Sequence, residues 1–356
     1  MNLGLRQLSM DEDREEMLAI QRRNFGASQD RRFDWRHTAH PAGRAWSWFA
    51  YDKQSLTTVA MTTLFPRNMY VDGRAVVAGQ VGEFAVDPEY RCLGPAVMLQ
   101  RATFQPVDRG LIEFCYDCPP HDQGMSTFHR LGMGANAQVF RYVYLLNTRE
   151  YFEKRLGKKA YVKPIAGAAN LLLRMRVPRN KSKNLVVSSY RRSFCEEFTE
   201  LDVSLARAGE IRASRSAKDL NWRYREDPLA SVCLPTGTWG RYEVLVARRS
   251  GELVAFVVFF LQEDGAACLV DLFGRDIDET GVDLLEAMID LCRHEGVSSI
   301  HASCSEESEL TSVIASTGFR RRERTSRVVA YVGAGDENQQ LLKGQKWTFG
   351  KVEVML

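Results

Sequence analysis

The sequence repeats itself. Trp35-Arg36-His37, with Pro41 six residues after the tryptophan, returns as Trp222-Arg223-Tyr224 with Pro228 six after its own. Gly110-Leu111-Ile112, Cys118 and Leu131-Gly132-Met133 return as Gly296-Val297, Cys304 and Thr317-Gly318-Phe319. The landmarks keep one offset, 186 or 187 residues, across about a hundred positions. Self-similarity at a fixed period marks a structural unit written more than once. A chain of 356 residues is then two units, each long enough to bury its own core.

Both units show the same order of elements. In the first, Ser9-Met10-Asp11-Glu12 has capping-box spacing and opens an amphipathic segment through Met17, Leu18 and Ile20. After Trp35 come β-like runs at 45–51, 56–64 and 75–86, with turns expected at Pro66-Arg67-Asn68 and Asp72-Gly73. A helix from Pro95 to about Val107, a strand at 111–115, a helix at 123–131 and a strand at 138–146 complete it. The second unit gives strands at 242–248, 254–262 and 268–273, a helix at 281–294, a strand at 299–303, a helix at 306–316 and a strand at 327–332. Antiparallel strands followed by helix, strand, helix, strand predict an α/β (α+β) class, with a mixed, mostly antiparallel sheet flanked by helices in each unit. The expected boundaries are 1–147 for the first unit, 148–195 for a connector, 196–335 for the second unit and 336–356 for a C-terminal tail.

Charge singles out the connector. Residues 151–192 carry twelve Lys or Arg and one Glu, a net +11, so the rest of the chain sums to −8 against +3 for the whole. Pro178 and Arg179-Asn180-Lys181-Ser182-Lys183 read as a solvated linker. The charge also suits an anionic membrane surface or a phosphorylated acceptor. Nucleic acid is not expected, because neither stacking aromatics nor spaced Cys/His ligands accompany it. The longest apolar run, Leu253–Leu261, is nine residues and reads as a buried strand, far short of a membrane span. The N-terminus lacks the order of a secretory signal, and eight irregularly spaced cysteines point to reduced thiols, so a cytoplasmic location is expected.

The chemistry lies in Gly82-Glu83-Phe84-Ala85-Val86-Asp87-Pro88-Glu89-Tyr90-Arg91-Cys92-Leu93-Gly94-Pro95-Ala96. A strand ends, a turn with a basic residue and a glycine follows, and a helix starts. Unpaired N–H groups at such a terminus, with the helix dipole behind them, suit a pyrophosphate. Gly94 permits close backbone approach, and Pro95 as a first helical residue costs one donor but little structure.

Here the chain resembles the GNAT superfamily of acyl-CoA N-acyltransferases. Arg91-Cys92-Leu93-Gly94-Pro95-Ala96 fits the family's Gln/Arg-x-x-Gly-x-Gly/Ala signature, and Phe128-His129-Arg130-Leu131-Gly132-Met133 resembles its late Tyr-x-x-Leu-Gly-Phe segment. With both units the resemblance spans nearly the whole chain, as a tandem-GNAT arrangement. It implies an acyl-CoA cosubstrate, most simply acetyl-CoA, and direct attack of an amine on the thioester, with no metal. The pyrophosphate would lie on the amides of Arg91, Cys92, Leu93, Gly94 and Ala96. The pantetheine arm would run beside the strand Gly82–Val86, with a backbone N–H near Phe84, Ala85 or Val86 polarising the thioester carbonyl.

Glu83 is the carboxylate within that strand and the candidate base, on the face opposite Gly82 and Phe84; its rival reading is a solvated edge residue. Where the family places a tyrosine acid, this chain has Phe128, which holds no proton. Tyr142 and Tyr144 are the candidate substitutes, with Tyr116 nearby; each also reads as a packed strand tyrosine. In the second unit the offset of 187 places Asp278, Gly281 and Asp283 at Arg91, Gly94 and Ala96. Two carboxylates would repel a pyrophosphate, so the second unit is expected not to bind CoA and to complete the acceptor cleft or buttress the first sheet.

Other signals carry less. Cys115, Cys118 and His121 have ligand-like spacing, but the second unit keeps only Cys304, so they read as strand-end residues and no metal is expected. Trp35-Arg36 and Trp222-Arg223 read as sheet anchors, while His37 and His40, which lack duplicates, could face the acceptor. The expected activity is N-acyl transfer to an amine on a small molecule such as an amino-sugar. The alternatives are a non-catalytic acyl-CoA sensor or scaffold, and a Fem-like aminoacyl transferase of cell-envelope synthesis.

Overall fold

The computed structural model describes residues 2–147, 184–333 and 342–354, apart from 26, 121, 229, 231 and 234–237. The first copy runs β1 (Leu3–Gln7), α1 (Arg14–Phe25), α2 (Phe33–His37) and then an antiparallel meander of β2 (Trp46–Asp52), β3 (Thr58–Val71) and β4 (Arg74–Val86). Helices α3 (Leu93–Ala102) and α4 (Gln105–Asp108) lead to β5 (Phe114–Asp117), parallel to β4, and α5 (Asp122–Arg130) leads to β6 (Ala137–Leu145). The second copy begins with β7 (Leu185–Ser189), α6 (Glu196–Ser204), β8 (Glu210–Ala213), α7 (Ala217–Tyr224) and the short β9 (Val232–Cys233). Its meander is β10 (Thr238–Arg249), β11 (Glu252–Gln262) and β12 (Ala266–Gly274), followed by α8 (Ile277–His294), β13 (Ser299–Ser305), α9 (Leu310–Ser316) and β14 (Arg320–Tyr331). Two short elements, β15 (Lys346–Trp347) and α10 (Lys351–Val354), follow.

The strands form one continuous sheet in the order β1-β2-β3-β4-β5-β14-β6-β13-β12-β11-β10-β7. The copies exchange their last strands: β14 of the second lies against β5 of the first, and β6 of the first lies against β13 of the second. The two exchanged strands pair with each other at the centre. A second reciprocal contact sits on the α2 and α7 helices. Trp35 Nε1 donates to the Trp222 carbonyl (2.8 Å), Trp222 Nε1 donates to the Trp35 carbonyl (3.1 Å), and the indoles stack with centroids 4.3 Å apart. The duplicated tryptophans therefore join the copies about a local two-fold.

Cores form on both faces. In the first copy Met17, Leu18, Ile20 and Phe33 from α1 and α2 bury Phe49, Met61, Phe65 and Ala85 on one face. Leu99, Ala102, Phe104 and Val107 from α3 and α4 bury Trp48, Ala60, Leu64, Val81 and Cys115 on the other. In the second copy Leu284, Leu285, Met288 and Ile289 of α8 cover Val257, Phe259, Leu269 and Leu272.

Several features differ from the sequence expectations. Pro66 does not turn the chain but lies inside β3, where β2 has stopped pairing at Leu64 and β8 begins only at Met69. One edge of β3 is open there, so the missing N–H breaks no ladder. Strand β7 falls inside the stretch expected to be connector, and most of the rest, 148–183, lies outside the described residues. Residues 346–354 are not a tail. Trp347 and Phe349 pack on Phe114 and Tyr116 of β5, and Glu353 is buried against Arg215 (2.9 Å), which also holds Asp271 (3.0 Å). Among the described residues no helix is long and apolar enough to cross a membrane.

Candidate active site

Strand β4 carries the site because it loses one partner and bulges against the other. It pairs with β5 only at Ala78, Gly79 and Gln80, so from Val81 to Val86 no β5 residue faces it and a wedge opens between the two strands. On the β3 side Thr63 pairs with Gly82 and Met61 with Ala85, so Glu83 and Phe84 stand opposite Thr62 alone. Glu83 takes a left-handed φ of +50°, which makes this a β-bulge that re-aims its side chain. Phe84 and Val86 pack toward α3, while Ala85 is buried beneath α1 and α2.

The Glu83 carboxylate is 3% exposed and turned toward α1 and α2. Arg36 Nη1 lies 2.9 Å from one oxygen; His37 Nε2 at 2.8 Å, Gln21 Nε2 at 2.7 Å and the Thr63 hydroxyl at 3.3 Å reach the other. His37 Nδ1 also faces an acceptor, the Phe33 carbonyl at 2.9 Å, so both ring nitrogens are placed as donors. Burial alone would favour the neutral acid, but the charges of His37 and Arg36 and the hydrogen bonds outweigh it and hold the Glu83 pKa at about 2. The general-base expectation does not fit this environment. A carboxylate with a pKa this low and its lone pairs engaged is a weak proton acceptor. Nor is Glu83 a solvated edge residue; it is the anion of a buried cluster that pins the bulge to α1 and α2.

Beyond β4, Pro88–Tyr90 make a short 3-10 turn and Arg91 Nε donates to the Val86 carbonyl (3.0 Å). Cys92 caps α3 in an extended conformation without a side-chain hydrogen bond. Helix α3 therefore starts at Leu93, two residues earlier than expected, and Pro95 is its third residue, still within the turn whose N–H groups have no intrahelical acceptor. A Cβ built on Gly94 would meet nothing nearer than Cys92 Sγ at 3.9 Å, so the space over this turn is open. Phe84, Ala85 and Val86 thus end β4, and Arg91, Cys92, Leu93, Gly94 and Ala96 follow at the start of α3, but the amides of Arg91 and Cys92 are taken up by the Pro88 and Tyr90 carbonyls, contrary to the expectation that they face a pyrophosphate.

Tyr142 and Tyr144 are not on that path. Strand exchange carries both into the second copy's core, where the Tyr144 hydroxyl meets Arg293 at 3.3 Å and Tyr142 is 2% exposed among the residues around Cys304. They are packed strand tyrosines, which the exchange made impossible to see from sequence spacing. Tyr116 is buried too, its hydroxyl donating to the Glu353 carbonyl. Phe128 lies under α5 with Met125 and Val329. His37 belongs to the Glu83 cluster, and His40 Nε2 lies 3.0 Å from buried Arg67. Sequence reasoning missed Gln21 and Thr63, which become visible only once the bulge sets the direction of Glu83.

The second copy repeats the bulge without the site. Val258 pairs with Asp271 and Phe259 with Leu269, so the extra residue is Val270, at the offset of 187 from Glu83. Gly281 lies a full turn inside α8, and a Cβ there would touch Val313 at 3.1 Å and Ile277 at 3.3 Å. This glycine is needed for packing against α9, not for a ligand, and the first turn of α8 carries Asp278 and Glu279.

Residues 5–119 match the acetyltransferase (GNAT) domain model. A search of curated proteins finds no significant match. Among solved structures, a probable N-acyltransferase from Enterococcus faecalis, itself of unknown function, aligns over 93% of this chain and 72% of its own at 13% identity and a TM-score of 0.63. A GCN5-related N-acetyltransferase from Anabaena variabilis aligns over 93% and 73% at 12% identity, also with a TM-score of 0.63. N-myristoyltransferase of Saccharomyces cerevisiae, solved with myristoyl-CoA bound, aligns over 100% and 86% at 12% identity and a TM-score of 0.58. At these identities the likeness is one of fold, and it extends across both copies. The family match falls on the stretch that holds the open wedge, so residues 5–119 carry the acetyltransferase (GNAT) domain, while for the rest of the chain the likeness is one of fold.

Proposed function

We propose that the first copy transfers an acyl group, acetyl in the simplest case, from CoA to the amine of a small acceptor such as an amino-sugar, and that the second copy binds no CoA. The observation that carries this reading is the β4–β5 wedge ending at an uncapped α3 terminus, with Gly94 facing open space. The pyrophosphate would rest on the free amides at Leu93 and Gly94, beside Arg91 and Ala96, and the pantetheine arm would take the place of the missing strand next to Val81–Val86. The bulge frees backbone N–H groups near Phe84 and Ala85 to polarise the thioester carbonyl. Glu83 contributes by fixing the bulge, because its carboxylate anchors β4 to Gln21, Arg36 and His37. The stretch 151–192 supplies positive charge that would draw a phosphorylated acceptor or an anionic membrane surface.

The test is a thermal-shift titration with CoA and acetyl-CoA on the wild type and on Gly94→Asp. The glycine position has room for a side chain and an acidic residue suits a helix N-terminus, so the variant should fold. Its carboxylate would meet the pyrophosphate, and affinity should fall about a hundredfold or more. Absence of stabilisation of the wild type at millimolar CoA overturns the reading. Thiol release with a panel of amines then separates turnover from binding alone.

A further inference from the structure

Asp117 closes β5. Gln80 and Tyr116 are the last residues paired between β4 and β5, so Asp117 is the first β5 residue at the mouth of the wedge. Phe114 and Tyr116 point to the face covered by Trp347 and Phe349, and alternation puts Asp117 with Cys115 on the opposite face, under α3. Across the sheet its neighbour on β14 is Val329, which packs directly on Met125 and Phe128 of α5. The carboxyl therefore stands next to the cluster that holds Phe128, where the family resemblance leads one to expect an acid.

Its surroundings keep a proton on it. Among the described residues no cation forms an ion pair with Asp117, and the hydrogen bond it accepts is from the Cys118 backbone N–H. Burial raises its pKa to about 7. The ionisable groups around it do not compensate. Cys115 on its own strand and Cys118 just beyond it are thiols that burial keeps protonated. On α5 Asp122 is taken up by Arg327 and approached by Arg324 (3.6 Å). On β14 the Tyr331 hydroxyl is given to Asp108 (2.7 Å). Facing it, α3 and β4 present Leu99, Ala102 and Val81. Glu83 and Asp117 thus flank the wedge on opposite faces of the sheet, one an anion that anchors the bulge and the other a carboxyl that can carry a proton.

We propose that Asp117 donates the proton that the departing CoA thiolate requires, the role Phe128 cannot fill. This rests on the acyltransferase reading above. The amine nitrogen bonds to the thioester carbonyl carbon, and the C–S bond breaks with its electron pair passing to sulfur. The Asp117 proton then moves to that sulfur. The amine nitrogen releases its surplus proton to solvent, and Asp117 recovers one from solvent, so one amide and one free thiol are formed.

The experiment compares full-length wild type with Asp117→Asn and Asp117→Glu, measuring CoA binding by thermal shift and thiol release from pH 5.5 to 9. In the wild type kcat should fall as pH rises through about 7, as the acid loses its proton. Asp117→Asn should still bind CoA, lose about a hundredfold in kcat at neutral pH and lose that basic limb. Asp117→Glu should restore part of both, which also guards against failure of the Asn variant to fold. An aryl thioester donor, whose leaving thiolate needs no proton, should be far less sensitive to Asp117→Asn. A wild-type profile flat across pH 7, an unchanged rate in Asp117→Asn, or CoA binding without turnover overturns the assignment of Asp117; absence of CoA binding in the wild type instead overturns the acyltransferase reading itself.

Discussion

Residues 1–147 produced alone should fail to fold, and so should 184–356, whereas the two produced together should assemble. The reason is the strand exchange. In the first copy β6 has no partner of its own: it pairs with β14 on one side and β13 on the other, both from the second copy. Its buried Tyr142 and Tyr144 fill a core built mainly by the other half, and Val139 fills one that both halves share. Separated, the first half would expose those side chains together with two bare strand edges, a state prone to aggregation. The second half would lose β6 from between β13 and β14, along with the Trp35 stack on Trp222. Co-production leaves every pairing available, and a cut within 148–183 removes no described strand. Solubility, circular dichroism and co-purification of the two fragments measure this. A first half that is soluble, monomeric and cooperatively folded by itself would show that the exchange is dispensable.

The same exchange marks where sequence reading stopped. The order of elements was legible because each depends on local signals: the unbroken apolar run of β11, a turn at Asp72-Gly73, a glycine closing a helix at Gly132 and Gly318. The repeat at 187 residues identified Trp35 and Trp222 as structural, and their reciprocal hydrogen bonds explain why both persist. Which copy receives β6, however, is decided by pairing between segments about 160 residues apart, and neither β6 nor β14 carries a local mark of its partner. Nearness in sequence therefore makes Tyr142 and Tyr144 candidates for the first copy's site, while the exchange places them in the second copy's core. The strand-to-helix turn at Arg91–Ala96 was legible, since a strand end, a glycine and a helix start are contiguous. The direction of Glu83 was not, because strict alternation fails at a bulge and the residue that balances the register, Thr62, lies on another strand. Residues 346–354 read as a tail since two turns of mixed polarity give no periodic signal; their burial comes from Arg215, Tyr116 and Ser305, which are distant in sequence.

Glu83→Gln should cost about 3–5 kcal/mol of stability, the loss expected when one member of a buried ion cluster is removed and the others stay. Gln is nearly the same size, so no cavity term enters, and the effect is electrostatic. Arg36 and His37, both buried, would lose the anion that holds them, and Gln21 and Thr63 would lose a charged acceptor. The pH dependence has a fixed sign. The Glu83 pKa is depressed from 4.5 to about 2, so its contribution is complete above 4.5 and disappears as pH falls from there toward 2. Wild type should lose stability steeply over that window, and Glu83→Gln should lose less, because the group that would take up the proton is gone. Urea unfolding at pH 7 and at pH 3 measures both effects. Replacing His37 by Gln in the same chain should recover part of the loss, as one of the groups left without its charged partner is removed with it, and a double-mutant cycle of the two would report the coupling. The outcome also separates two roles for this carboxylate. A solvent-reaching general base would leave the midpoint of unfolding unchanged in Glu83→Gln while turnover collapsed; an anchor of the bulge lowers the midpoint first, and turnover falls only as far as the wedge between β4 and β5 loses its shape.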